Sequence, residues 1–164
     1  MTQHSAVASL FIIVQNKSGQ KNADFEEWIR RFEKGNHYGL HNGMKFKLID
    51  LGHISYSMKI TEQHLSSPST CHGGAVAGLM DAVLGTAALT LAFSRNQLCS
   101  TVEFKMNYFV PVKLNDALVG VGKVENAGKR LVVTRADIKN QDDRVVAIGQ
   151  GTFNLYPMDK REFP

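Results

Sequence analysis

Two kinds of hydrophobic periodicity divide this chain. Met44, Phe46 and Leu48, then Ile54, Tyr56, Met58 and Ile60, alternate with polar residues. Alternation places successive side chains on opposite faces, so these runs predict two strands joined near residues 50–52. The same pattern returns after residues 95–97, where Val102, Phe104, Met106, Tyr108 and Val110 form one stripe that Pro111 stops. Three further strands are predicted over residues 117–125, 130–139 and 145–155. Turn signals at Ala127-Gly128 and Gln141-Asp142-Asp143 separate them.

Between these two strand regions, residues 75–93 are almost continuously apolar. They predict a helix over roughly 73–93, buried on nearly all sides. Its apolar length raises the question of a membrane span. Asp81 sits inside it, at a cost of about 2.5–3.5 kcal/mol in a membrane helix, and strands follow it, so a core helix is the expectation. Further upstream, Asp24 and Glu27 are spaced for a capping box, and Phe25, Trp28, Ile29 and Phe32 share one helical face. That helix is expected to begin at Asp24, after a turn region over 16–22, and to end at Gly35-Asn36. Residues 6–14 are too short a pattern to assign, and residues 62–71 read as a polar loop containing Pro68.

The order is therefore helix, two strands, one long apolar helix and four strands. Consecutive strands with a single central helix predict an α+β fold, an antiparallel sheet curled around that helix. Residues 1–40 form an N-terminal extension with a helix, 41–157 the main domain and 158–164 a tail.

Composition narrows the function classes. At 164 residues, 43% apolar and 21% charged, the chain suits one globular domain with its own core. The formal charge of +4 favours anionic partners, but its basic residues are scattered, which argues against nucleic acid. Two cysteines, Cys71 and Cys99, make no metal or disulfide pattern, and the six histidines offer one HxxxH spacing, His37 and His41, but no HExxH. No metal or cofactor is expected. The start of the chain lacks a charged signal-peptide region, and a cytoplasmic location is the expectation.

The chemistry gathers around the apolar helix. His72-Gly73-Gly74 stands at its start, where unpaired backbone N–H groups and the positive dipole end can polarise a carbonyl oxygen. Asp81 is the sole charged residue between His72 and Arg95, and a carboxylate among apolar neighbours needs partners or a purpose. Gly73 and Asp81 are eight residues apart, about 12 Å along a helix. Groups that act on one carbonyl must each come within about 3–3.5 Å of it. One helix cannot supply both, so shared action requires two antiparallel helices and a two-fold dimer with composite sites.

The segments HGGAVAGLMDAVLGTAAL, TVEFKMNYFVPV, GKRLVVTRADI and VVAIGQGTF resemble the hotdog-fold acyl-CoA thioesterases of the PaaI-like type, which include acyl-CoA thioesterase 13-like proteins. The similarity covers about residues 44–156. It implies a sheet wrapped around a central helix, a homodimer or homotetramer, and hydrolysis of acyl-CoA. It implies that the Gly73 N–H polarises the thioester carbonyl and that Asp81 acts as general base or nucleophile. Thr101 falls where relatives hold a Ser or Thr that positions water, and His72 orients the helix start, with Gly74 beside it. Gly128, Lys129 and Arg130 match a turn near the CoA moiety. Ser66 stands where many relatives carry an Asn beside the thioester, so a weaker or water-mediated carbonyl contact is expected there. Two other readings of the same fold stay open: an acyl-CoA binding protein without turnover, and a dehydratase or hydratase.

Overall fold

The computed structural model describes residues 19–159, with side chains from residue 25 onward. In chain order the elements are helix α1 (Gly19–Gly35), short helix α2 (His37–His41), strands β1 (Lys45–Asp50) and β2 (His53–Lys59), helix α3 (Gly73–Ser94), and strands β3 (Gln97–Tyr108), β4 (Ala117–Ala127), β5 (Leu131–Lys139) and β6 (Val145–Pro157). The expected α+β architecture is what forms. All six strands join one antiparallel sheet in the order β1-β2-β4-β5-β6-β3, and α3 packs against β2 to β6.

Alternation explains the sheet's inner face. Ile54, Tyr56 and Met58 of β2, Leu118 of β4, and Val132, Ala136 and Ile138 of β5 are buried against Leu79, Met80, Val83 and Leu84 of α3. Gly120 and Gly122 occupy inward positions on β4 because the helix comes too close for a side chain. A Cβ at Gly122 would lie 2.7 Å from both the Val83 Cγ1 and its carbonyl oxygen. The backbone oxygen cannot step aside, so Gly122→Ala should cost about 1–3 kcal/mol as overpacking. The check is a lower midpoint of urea unfolding with an unchanged m-value. At the other end of the helix, Gly52 turns β1 into β2 with φ +73°, and its N–H donates to Thr90 Oγ1 at 2.9 Å.

Three expectations need correction. Residues 19–22 are helical, not part of a turn, so α1 begins five residues before Asp24 and Asp24 is not its cap. Glu27 instead accepts from Arg30 and Arg31 on the next turn. Secondly, α3 is not covered on nearly all sides. The sheet buries Val76, Leu79, Met80 and Val83, whereas Gly74 is exposed and Gly78, Asp81 and Gly85 are only half-buried. Those four positions fall within one face at helical spacing. Finally, Val102 does not share the stripe of Phe104 and Met106. It is the extra residue of a bulge between Thr101 and Glu103 and is 58% exposed. Residues 6–14 and the tail from 160 lie outside the described residues.

The segment before β1 lies across α3. Trp28 of α1 stacks on Phe93 of α3 with ring centroids 4.4 Å apart, and Phe32 meets Phe46 edge-on at 5.9 Å. Asn36 Nδ2 donates to the Tyr56 hydroxyl at 3.3 Å, which ties the start of α2 to the core. Burial pushes the Tyr56 phenol up from its ordinary value, with hydrogen bonds from Thr86 and Asn36 opposing.

Candidate active site

The loop before α3 delivers its N-terminus in a fixed orientation. Leu65 and Cys71 form a bridge, the His72 N–H donates to the His64 carbonyl at 2.8 Å, and the Cys71 N–H donates to the Val112 carbonyl at 2.8 Å. His64 is buried inside this loop and its Nδ1 accepts from the Thr61 N–H at 3.0 Å. Burial, helped by nearby His41, holds the His64 ring below the usual histidine range. Ser66 is exposed, and its Oγ and N–H both donate to the Thr70 carbonyl, at 3.4 and 3.0 Å. Its hydroxyl hydrogen is thus engaged within the loop.

His72 caps the helix. Its backbone is extended (φ −65°, ψ 132°), and its Nδ1 accepts from the Gly74 N–H at 2.8 Å. This satisfies one of the donors that a helix N-terminus leaves without an intrahelical partner. Gly74 therefore serves its own cap in this chain. The Gly73 N–H is the first of the helix and has no partner within it. Gly73 is exposed, and the Tyr108 hydroxyl donates to its carbonyl at 2.9 Å.

Two turns along the same face, Asp81 is half-buried, and the Thr101 hydroxyl donates to its Oδ1 at 3.2 Å. Thr101 commits its hydroxyl hydrogen to the carboxylate, so its direct effect is to fix Asp81. The bulge at Val102 makes this possible. An extra residue shifts the alternation by one, so Cys99 and Thr101 before it and Phe104, Met106 and Tyr108 after it all address the helix. Cys99 donates to the Gly85 carbonyl at 3.8 Å, and burial pushes its thiol up to about 12, followed by the Asp81 charge. Burial likewise raises Cys71. Neither thiol has the lowered pKa that nucleophilic cysteines use.

The remaining predicted residues lie elsewhere. Gly128, Lys129 and Arg130 are exposed in the β4–β5 hairpin, and the Gly128 carbonyl accepts from Arg95 Nη1 at 3.0 Å. Arg95 caps the C-terminal end of α3. This hairpin sits fourteen residues, or about 21 Å of helix, beyond Asp81 and farther still from Gly73. One chain thus brings together His72, Gly73 and Gly74 at one place, and Asp81 with Thr101 at another. Periodicity marks Tyr108 only as part of an apolar stripe. The signal that sets it apart is its hydroxyl, the only polar atom among the stripe's side-chain tips. Among the described residues, no three His, Cys, Asp or Glu side chains gather as a metal site.

Comparison with known proteins gives this geometry a context. The family model described as thioesterase superfamily matches residues 69–147, a span that holds both Gly73 and Asp81. Human acyl-coenzyme A thioesterase 13 is 32% identical over 105 residues, 63% of this chain and 74% of that protein. The solved structure of the Escherichia coli PaaI protein, from the phenylacetic acid degradation operon, superposes with a TM-score of 0.71. It covers 80% of this chain and 93% of its own, at 22% identity. A hypothetical thioesterase protein from Streptococcus pneumoniae, solved with coenzyme A, has a TM-score of 0.62 at 23% identity, over 70% of this chain and 87% of that one. These structures share the hotdog fold, and the sequence match carries the relationship further. This chain belongs to the thioesterase superfamily and is a thioester hydrolase.

Proposed function

We propose that the protein hydrolyses acyl-CoA to a carboxylic acid and free CoA, at two composite sites of a dimer. The observation that carries this reading is the Thr101–Asp81 hydrogen bond on the open face of α3, the helix whose start presents the Gly73 N–H. The name of the human relative and the coenzyme A of the Streptococcus pneumoniae structure support CoA as the thiol. Gly73 and Asp81 are separated by about 12 Å of helix, so each site takes Gly73 from one protomer and Asp81 from the other. Among the described residues, the long edge strand β3 has no neighbouring strand on its outer side, and it offers a surface for the second protomer.

In this mechanism the thioester oxygen accepts from the Gly73 N–H, with the helix dipole adding to the polarisation. Thr101 engages Oδ1 of Asp81, which leaves Oδ2 to take a proton from water. The oxygen of that water attacks the carbonyl carbon. The resulting oxyanion rests on the Gly73 N–H, and its collapse breaks the C–S bond. The proton taken by Asp81 passes to the departing thiolate. The protomer that supplies Asp81 also supplies the Gly128–Arg130 hairpin, whose Lys129 and Arg130 suit the CoA phosphates.

The test is thiol release from benzoyl-, hexanoyl- and palmitoyl-CoA. Turnover of at least one is expected. Tight binding of CoA esters without any thiol released would refute hydrolysis.

A further inference from the structure

The N-terminal segment reaches the same helix face as the catalytic groups. In α2, the Tyr38 phenol lies against Gly78 of α3, so closely that a Cβ at position 78 would overlap its hydroxyl and come within 3.0 Å of Cζ. Gly78 lies three residues before Asp81 and five after Gly73, about 4.5 and 7.5 Å along the axis. Tyr38 is nonetheless 54% exposed, so its ring stands out over the open face and is not part of the core. Its hydroxyl has no hydrogen-bond partner among the described residues. The neighbouring Gly39 and Leu40 line a cavity of about 180 Å³ with Phe32, Met44 and Phe46.

The direction of the substrate follows from the proposed function, on which this inference rests. With antiparallel helices, the partner's hairpin lies beyond the N-terminal end of α3, so the CoA arm leaves in that direction. The acyl group then runs the opposite way, along α3 from Gly73 toward Gly78. There it meets Tyr38. We propose that Tyr38 is a specificity-determining residue whose phenol closes the acyl end of the site and restricts the enzyme to compact acyl groups.

Steady-state rates of the full chain with hexanoyl- and palmitoyl-CoA test this. The wild type should favour hexanoyl-CoA. Tyr38→Ala should raise the palmitoyl-to-hexanoyl ratio of kcat/KM by about tenfold or more, because a pocket discriminates acyl groups by the space it denies them. The rate with hexanoyl-CoA should stay within about threefold, since the groups that stabilise the transition state are untouched. Tyr38→Phe should preserve the wild-type ratio, and Tyr38→Leu should shift it in the direction of Ala by a smaller factor. Equal ratios in wild type, Tyr38→Ala and Tyr38→Leu would overturn the assignment while leaving the hydrolase reading intact. A wild type inactive on these two esters and on benzoyl-CoA would overturn both together.

Discussion

Asp81→Ala should abolish thiol release while the protein folds and assembles as before. The carboxylate is the only ionisable side chain of α3, and general-base catalysis contributes about 10²–10⁴-fold. The loss should therefore reach about three orders of magnitude in kcat. Asp81→Asn should fall nearly as far, because an amide keeps the shape and the Thr101 hydrogen bond but cannot take the proton. Unfolding is not expected to follow, since Asp81 is half-buried and bonded to a single exposed threonine. The readings are kcat for both variants beside circular dichroism and sedimentation. Wild-type turnover in either variant would remove Asp81 from the mechanism.

The second large effect separates a composite site from one built within a chain. Gly73→Pro deletes the N–H at the first helical position, where proline fits, and His72 before it already holds the extended backbone that proline requires. A side chain there meets only ordinary contact with Tyr108, 3.6 Å away. Loss of one oxyanion donor costs about 10²–10³ in kcat. Mixing the Gly73→Pro and Asp81→Ala proteins, each nearly inactive, should then restore activity. In a mixed dimer one site carries both defects and the other carries neither. With random reassortment half the dimers are mixed, and the rate should approach about a quarter of wild type. A mixture as inactive as its components would place both groups in one chain's site.

Much of this architecture is legible from the residues alone, for identifiable reasons. Ile54, Tyr56 and Met58 alternate because one sheet face is buried and the other is not, and α3 stands out because it is long and carries no ionisable side chain except Asp81. Glycine and aspartate at eight-residue spacing point to two helices, because the rise per residue alone sets how far apart they lie. Other features leave no trace in the pattern. Val102 is as hydrophobic as its neighbours, so the bulge it forms is invisible to alternation. The early start of α1 is hidden because Gly19 and Asn22 are poor helix formers, and propensity yields to tertiary context. Trp28 and Phe25 supply that context through their contacts with Phe93. Tyr38 gives no signal because α2 is five residues long and has no periodicity to count.

The bulge at Val102 also says what kind of information β3 carries. Thr101 and Tyr108 have opposite parity in the chain, yet each reaches α3, one at Asp81 and the other at Gly73. A regular strand would turn one of them away. Position 102 itself contributes an exposed side chain and a single increment of length. The segment from Thr101 to Tyr108 thus works as a spacer whose residue count is under constraint while the identity at 102 is not. Insertions and deletions, which surface loops absorb freely, would here exchange the inner and outer faces of half a strand and disconnect one of the two hydroxyls from the helix.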